Sequence, residues 1–127
     1  MLVMSMIQPE LWVDRGADAI DFYTSAFGAR VLHRVGEGQD IVAQLAVDDA
    51  VFWVAAVGVS TDRLVPRVIR GATARFLLVV DDPDAVQAQA VATGAVQESS
   101  VHGEHGWRVG RIVDPFGHEW EIGRPEA

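Results

Sequence analysis

Apolar and polar positions alternate along the chain in an order that is read twice. Ile7–Val13 is an apolar run of strand length. Over Ala17–Phe27 the apolar residues Ala19, Phe22, Tyr23, Ala26 and Phe27 recur at helical spacing, and Gly28 supplies a stop. Three strand-like runs follow, at 30–35, 40–47 and 50–57. The order then begins again with a strand over Arg75–Val80. Asp82-Pro83 reads as an N-cap followed by proline at the first helical position, Gly94 ends the helix, and strands are predicted at 95–99, 107–113 and 118–123. Each half is therefore a βαβββ unit, and the fold class is α+β.

The halves also align residue by residue. Asp18-Ala19-Ile20 superposes on Asp84-Ala85-Val86, Gly28 on Gly94 and Asp48 on Asp114, all at one offset, 84 − 18 = 66, without a gap. A single long period marks duplication of a supersecondary unit, not a solenoid. The expected organisation is one domain made of a module over 1–57, a linker over 58–72 and a module over 73–127. The linker holds Arg63, Arg67 and Arg70 and is expected to be a solvated crossover.

Composition removes several chemistries. At 127 residues, half of them hydrophobic, the chain fits one domain with a core that needs no staples. It has no cysteine, which excludes disulfides, thiolate nucleophiles and sulfur-ligated zinc. All ten basic residues are arginine, which excludes a lysine Schiff base. The opening MLVMSMIQPELW lacks a cationic segment followed by a long apolar run, and no stretch is long enough to span a bilayer, so a cytoplasmic location is expected. A net charge of -8 disfavours nucleic acid and anionic membrane as partners and favours a cationic small molecule.

The paired modules, with AIDFYTSAFGA (19–29) in the first and VGRIVDPFGHEWEIG (109–123) in the second, closely resemble the vicinal oxygen chelate superfamily. Within it they look most like the glyoxalase/bleomycin-resistance type and its PhnB-like branch. The resemblance covers nearly the whole chain. It implies a curled, incomplete β-barrel with helices outside and a cavity inside, commonly in a homodimer. It leaves function open, because such proteins include metal-dependent lyases, isomerases and dioxygenases as well as metal-free proteins that sequester antibiotics.

In metal-using relatives the resemblance places ligands on the first and last strand of each module. Those positions fall on Gln8 and Glu121, whose counterparts at the offset of 66 are Ala74 (8 + 66) and Ala55 (121 − 66). Alanine cannot ligate, and a catalytic metal generally wants three protein donors. Rescue by Glu10 or Glu119 stays open, since residues two apart on a strand share a face. His118, of opposite parity to Glu121, is expected on the helix-packed side as a hydrogen-bonded structural histidine. His102 and His105 are expected in a solvated loop, and His33 carries no assignment.

Strand parity selects the wall of the cavity. With Glu121 go Glu119 and Trp53; on the opening strands it selects Gln8, Glu10 and Trp12, with Phe76 and Leu78 as their counterparts. Trp107 and Arg111 border the same space, and Arg111 is a candidate counter-ion for Glu121. An aromatic, acidic wall suits a flat or cationic ligand. The reading is a metal-free small-molecule-binding protein with no cofactor. The alternative is a metal-dependent lyase, isomerase or dioxygenase using Gln8 and Glu121 with a substitute carboxylate.

Overall fold

The alternation is realised as two four-stranded sheets backed by helices, with no closed barrel. A computed structural model describes residues 3–58 and 62–126. Its first unit comprises β1 (Glu10–Val13), α1 (Gly16–Phe27), β2 (Arg30–Glu37), β3 (Asp40–Val47) and β4 (Ala50–Ala56). A short helix, α2 (Pro66–Ile69), lies in the connection. The second unit comprises β5 (Arg75–Val79), α3 (Pro83–Thr93), β6 (Val96–Glu104), β7 (Trp107–Val113) and β8 (Glu119–Pro125). The strand orders β1-β4-β3-β2 and β5-β8-β7-β6 correspond position for position. In each, the opening strand is an edge, paired in parallel with the last.

Both long helices form and stop where the pattern predicts. The stripe of Ala19, Phe22, Tyr23, Ala26 and Phe27 is buried, and Gly28 closes α1 in the left-handed conformation with its N–H donating to the Tyr23 carbonyl. At α3, the Asp82 side chain accepts from the Ala85 amide, as an N-cap should. Few α3 residues are apolar and large, so it lies close to its sheet instead of filling space. Gly110 on β7 leaves the room that the buried Gln87 side chain of α3 occupies.

β1, β6 and the linker depart most from expectation. β1 begins at Glu10 and not at Ile7, because Pro9 has no N–H for a ladder; its carbonyl still accepts from the Trp53 amide at 2.8 Å, but Ile7 is left exposed. β6 runs on to Glu104 through two register irregularities, so His102 lies on a strand, not in a loop. His105 takes a turn position with φ of 51°. The linker is not simply a solvated crossover. Pro66 is buried against Gly117, and Arg67 donates to the Pro115 carbonyl at 2.9 Å. The linker residues 59–61 lie outside the described residues.

The core sits between the sheets and the helix layer and centres on Trp120, whose ring lies 5.0 Å from Phe27, 5.7 Å from Tyr23, 5.7 Å from Phe52 and 5.4 Å from Phe76. Those partners come from α1, β4 and β5, so one indole ties the two units together. Among the described residues no helix is long and apolar enough to cross a membrane.

Candidate functional site

The DPFGH turn (114–118) positions everything around it. Asp114 is buried, and its carboxylate receives four donors. Oδ1 accepts from the amides of Phe116 and His118 at 2.9 and 3.0 Å; Oδ2 accepts from Trp120 Nε1 at 3.0 Å and from the Tyr23 hydroxyl. A carboxylate so supplied meets the condition for a buried charge. Burial, and then the Asp114 charge beside it, hold the Tyr23 phenol well above its usual range. His118 is hydrogen-bonded, as expected of a structural histidine. Its Nε2 lies 2.8 Å from the Trp12 carbonyl, and only an N–H can make that bond, so the turn of one unit is pinned to β1 of the other.

The ladder register settles which side chains share a face. Glu10 lies opposite Trp53 and Trp12 opposite Ala55 on β4, while Arg75 lies opposite Glu119 and Leu77 opposite Glu121 on β8. Glu10, Trp12 and Trp53 thus share the sheet face turned away from the helices, as do Glu119, Glu121, Trp107 and Arg111 on the second sheet. Phe76 and Leu78 do not. They lie opposite Trp120 and Ile122 and face the helix side, where Leu78 is 8% exposed, while Leu77 is 45% exposed. The parity assignment of these two residues is corrected for a definite reason. β4 and β8 match at 119 − 53 = 66, but β1 and β5 match at 75 − 10 = 65. One residue fewer before β5 turns every side chain of that strand over. The same shift makes Thr73, not Ala74, the counterpart of Gln8.

The predicted wall is consequently divided. Gln8, Phe76 and Leu78 line a cavity of about 470 Å³ with Leu11, Phe27, Phe52 and Trp120; Asp49 and Arg75 are its charged residues. Glu10, Trp12 and Phe76 line a second, of about 370 Å³, beneath the linker. Leu11 and Phe76 belong to both, so the two cavities occupy the two ends of one seam between the edge strands β1 and β5. Trp107, Arg111 and Glu121 line a shallow hollow of about 190 Å³ on the open face, and Glu119 borders a groove with Arg67 and Arg70. Trp53 lines none of these. The aromatic lining of the first cavity went unread in the sequence, because Leu11, Phe27, Phe52 and Trp120 carry the signature of plain core residues.

The donor atoms at the positions implied for a metal are already engaged. Gln8 Oε1 accepts from Trp53 Nε1 at 2.8 Å and from Gln44 Nε2 at 3.2 Å. Glu121 lies between two guanidinium groups, with Arg111 Nε at 3.1 Å from one oxygen and Arg75 Nε at 3.4 Å from the other. Hydrogen bonding to Glu121 and the charge of Glu104 raise the Arg111 pKa further. Ala55 and Thr73 supply no carboxylate or imidazole, and among the described residues no three His, Asp or Glu side chains converge. The residues present do not fit a catalytic divalent ion. Pairing of Glu121 with two arginines also removes that carboxylate as an attraction for a cationic ligand. His102 Nε2 meets Glu104 at 3.2 Å, and the His33 ring packs edgewise on Trp53 at 6.4 Å.

Comparison with known proteins agrees with this architecture. A protein of Mycobacterium bovis is 33% identical over 130 residues, an alignment covering 94% of this chain and 82% of the relative. The structure of an Arabidopsis thaliana gene product superposes with a TM-score of 0.76 at 28% identity, covering 96% of this chain and all of that one. The antibiotic-binding protein TnmS3 from a Streptomyces species gives 0.73 at 21% identity, over 99% of this chain and 100% of its own. The family model described as the Glyoxalase/Bleomycin resistance protein/Dioxygenase superfamily matches residues 5–122, and with the duplicated βαβββ sheets this places the chain in that superfamily.

Proposed function

We propose that the chain binds a small, largely apolar and aromatic molecule, without a metal, in the cavity at the Gln8 end of the β1–β5 seam. The observation that carries the reading is the engagement of Gln8 by Trp53 and Gln44 and of Glu121 by Arg75 and Arg111, beside a cavity walled by Phe27, Phe52, Phe76 and Trp120. Its volume of about 470 Å³ lies in the range of small-molecule sites. Four aromatic side chains offer edge and face contacts to a flat ligand. Its lining carries one acidic and one basic side chain, Asp49 and Arg75, among mostly apolar ones, which favours a neutral ligand over a strongly charged one. The antibiotic-binding description of TnmS3, a protein of the same fold, is in keeping with sequestration. A homodimer is part of the proposal: Val31, Leu32 and Val35 on β2 and Val96 on β6 expose apolar side chains along the outer edge strands.

The test is a titration with N-phenyl-1-naphthylamine, a neutral aromatic fluorophore that brightens in apolar surroundings. The expected result is saturable binding that survives dialysis against EDTA and weakens about tenfold in Leu77→Trp, which puts an indole at the cavity lining. Loss of binding on chelation with recovery on adding a divalent ion would overturn the metal-free reading. Unaltered affinity in the tryptophan variant would overturn the location. Light scattering at micromolar protein should return twice the 13.8 kDa chain mass; a monomer throughout would remove the dimer.

A further inference from the structure

Duplication built the seam twice over, and its second end has different chemistry. Register equivalence sets Gln8 against Thr73, Leu11 against Phe76 and Phe52 against His118, and the members of each pair are found at opposite ends of the seam or shared between them. The second cavity is therefore the internal repeat of the first, not an accident of the linker. It has kept an aromatic and aliphatic wall in Trp12, Phe76, Leu64 and Ile69. Its charge has diverged. Glu10 and Asp62 both line it, and among the described residues no arginine does, although Arg63 and Arg70 lie beside its lining residues in the sequence. The first cavity, by contrast, is lined by one side chain of each sign, Asp49 and Arg75.

The remaining polar side chains continue the bias toward accepting hydrogen bonds. His118 commits an Nε2 proton to the Trp12 carbonyl, so any accepting nitrogen of its ring is Nδ1. Thr73 contributes a hydroxyl that can accept. A space with the Glu10 carboxylate, a bound imidazole and an indole face suits a ligand that brings its own positive charge and N–H donors on a flat apolar body. Negative net charge of -8 over the whole chain draws the same kind of ligand from solution.

We infer that this second cavity is a separate site for an organic cation of the amidinium or aryl-ammonium class, held between the Trp12 indole and the carboxylate of Glu10 beneath the linker. The assignment goes beyond the neutral-ligand reading of the first cavity, and the two stand or fall separately. A volume of about 370 Å³ admits a single substituted ring.

The probe is p-aminobenzamidine, whose fluorescence rises in apolar sites, with its neutral relative p-aminobenzamide as control. The intact chain should bind the amidine saturably and the amide at least tenfold more weakly. Glu10→Gln, at an exposed position, should weaken the amidine about fivefold and leave the amide unchanged, and Trp12→Leu should weaken it about tenfold. Leu77→Trp, at the lining of the first cavity and not of the second, should leave amidine binding intact while it weakens the naphthylamine. Equal affinity for amide and amidine would sink the inference, as would indifference to Glu10→Gln in a variant whose circular dichroism and melting match the parent. Displacement of the amidine by the naphthylamine would instead place it in the first cavity and refute a separate site.

Discussion

Replacing Asp114 with asparagine tests the assignment of the DPFGH turn as the anchor between the two units. The carboxylate is 4% exposed and accepts from four donors, two on each oxygen. Asparagine keeps one oxygen. Whichever way its amide turns, two donors lose their acceptor and face an NH₂ group instead, either the Phe116 and His118 amides or the Tyr23 hydroxyl and Trp120 indole. Hydrogen bonds to a charged group are worth about 1.5–3 kcal/mol each, so the variant should lose about 3–6 kcal/mol against a total stability of roughly 5–15 kcal/mol. Tyr23→Phe removes one donor and should cost about 1.5–3 kcal/mol. Since both changes act on the same oxygen in one of the two amide orientations, the double variant should cost less than the sum by more than about 0.5 kcal/mol. Urea unfolding followed by tryptophan fluorescence at fixed protein concentration reads all three, with an unchanged dependence on urea as the sign that unfolding stays two-state. An Asp114→Asn protein within about 1 kcal/mol of the parent would refute the reasoning, because the donors would then have found water or other acceptors.

Three further outcomes follow from the same geometry. Tyr23, the chain's one tyrosine, holds its proton more tightly folded than unfolded, so its contribution is intact below about pH 10 and is lost above it at about 1.4 kcal/mol per pH unit; phenolate absorbance should appear only with unfolding, and a midpoint near the free value in still-folded protein would contradict this. Gly117→Ala puts a Cβ at φ of 89° and 2.8 Å from Pro66 Cβ, and should cost about 1–3 kcal/mol in urea unfolding while making the connection near Arg67 more open to trypsin. Gly110→Ala would bring a methyl within 2.2 Å of Gln87 Oε1, displacing an amide that donates to the Ser99 carbonyl at 2.8 Å; a loss of about 1–3 kcal/mol is expected, and faster amide exchange across α3 should accompany it.

Elements were legible wherever a local rule governs them. The α1 stripe with its terminal Gly28 and the Asp82-Pro83 start of α3 formed as read, because capping and amphipathic spacing are decided within a few residues. The duplication was legible for the same reason, since it appears as identity at a constant offset. The face of β5 was not. One residue lost before that strand reverses all its side chains, and a gapless alignment of helices and last strands cannot register it; only the pairing of Arg75 with Glu119 does. The pairing of Glu121 with Arg111 could be posed from the chain, but Arg75 as its second partner could not.

By itself, then, the sequence determined the twofold βαβββ order, the helix limits and the lack of metal donors at Ala55, all of which are local or compositional. Tertiary structure alone decided where space remains. The cavities lie where the edge strands β1 and β5 meet without hydrogen-bonding to each other, and their walls are core residues such as Leu11, Phe76 and Trp120. A hydrophobic residue carries the same pattern whether its neighbour fills the adjoining volume or leaves it open, and that difference arises only when two sheets 65 or 66 residues apart in the chain are brought together.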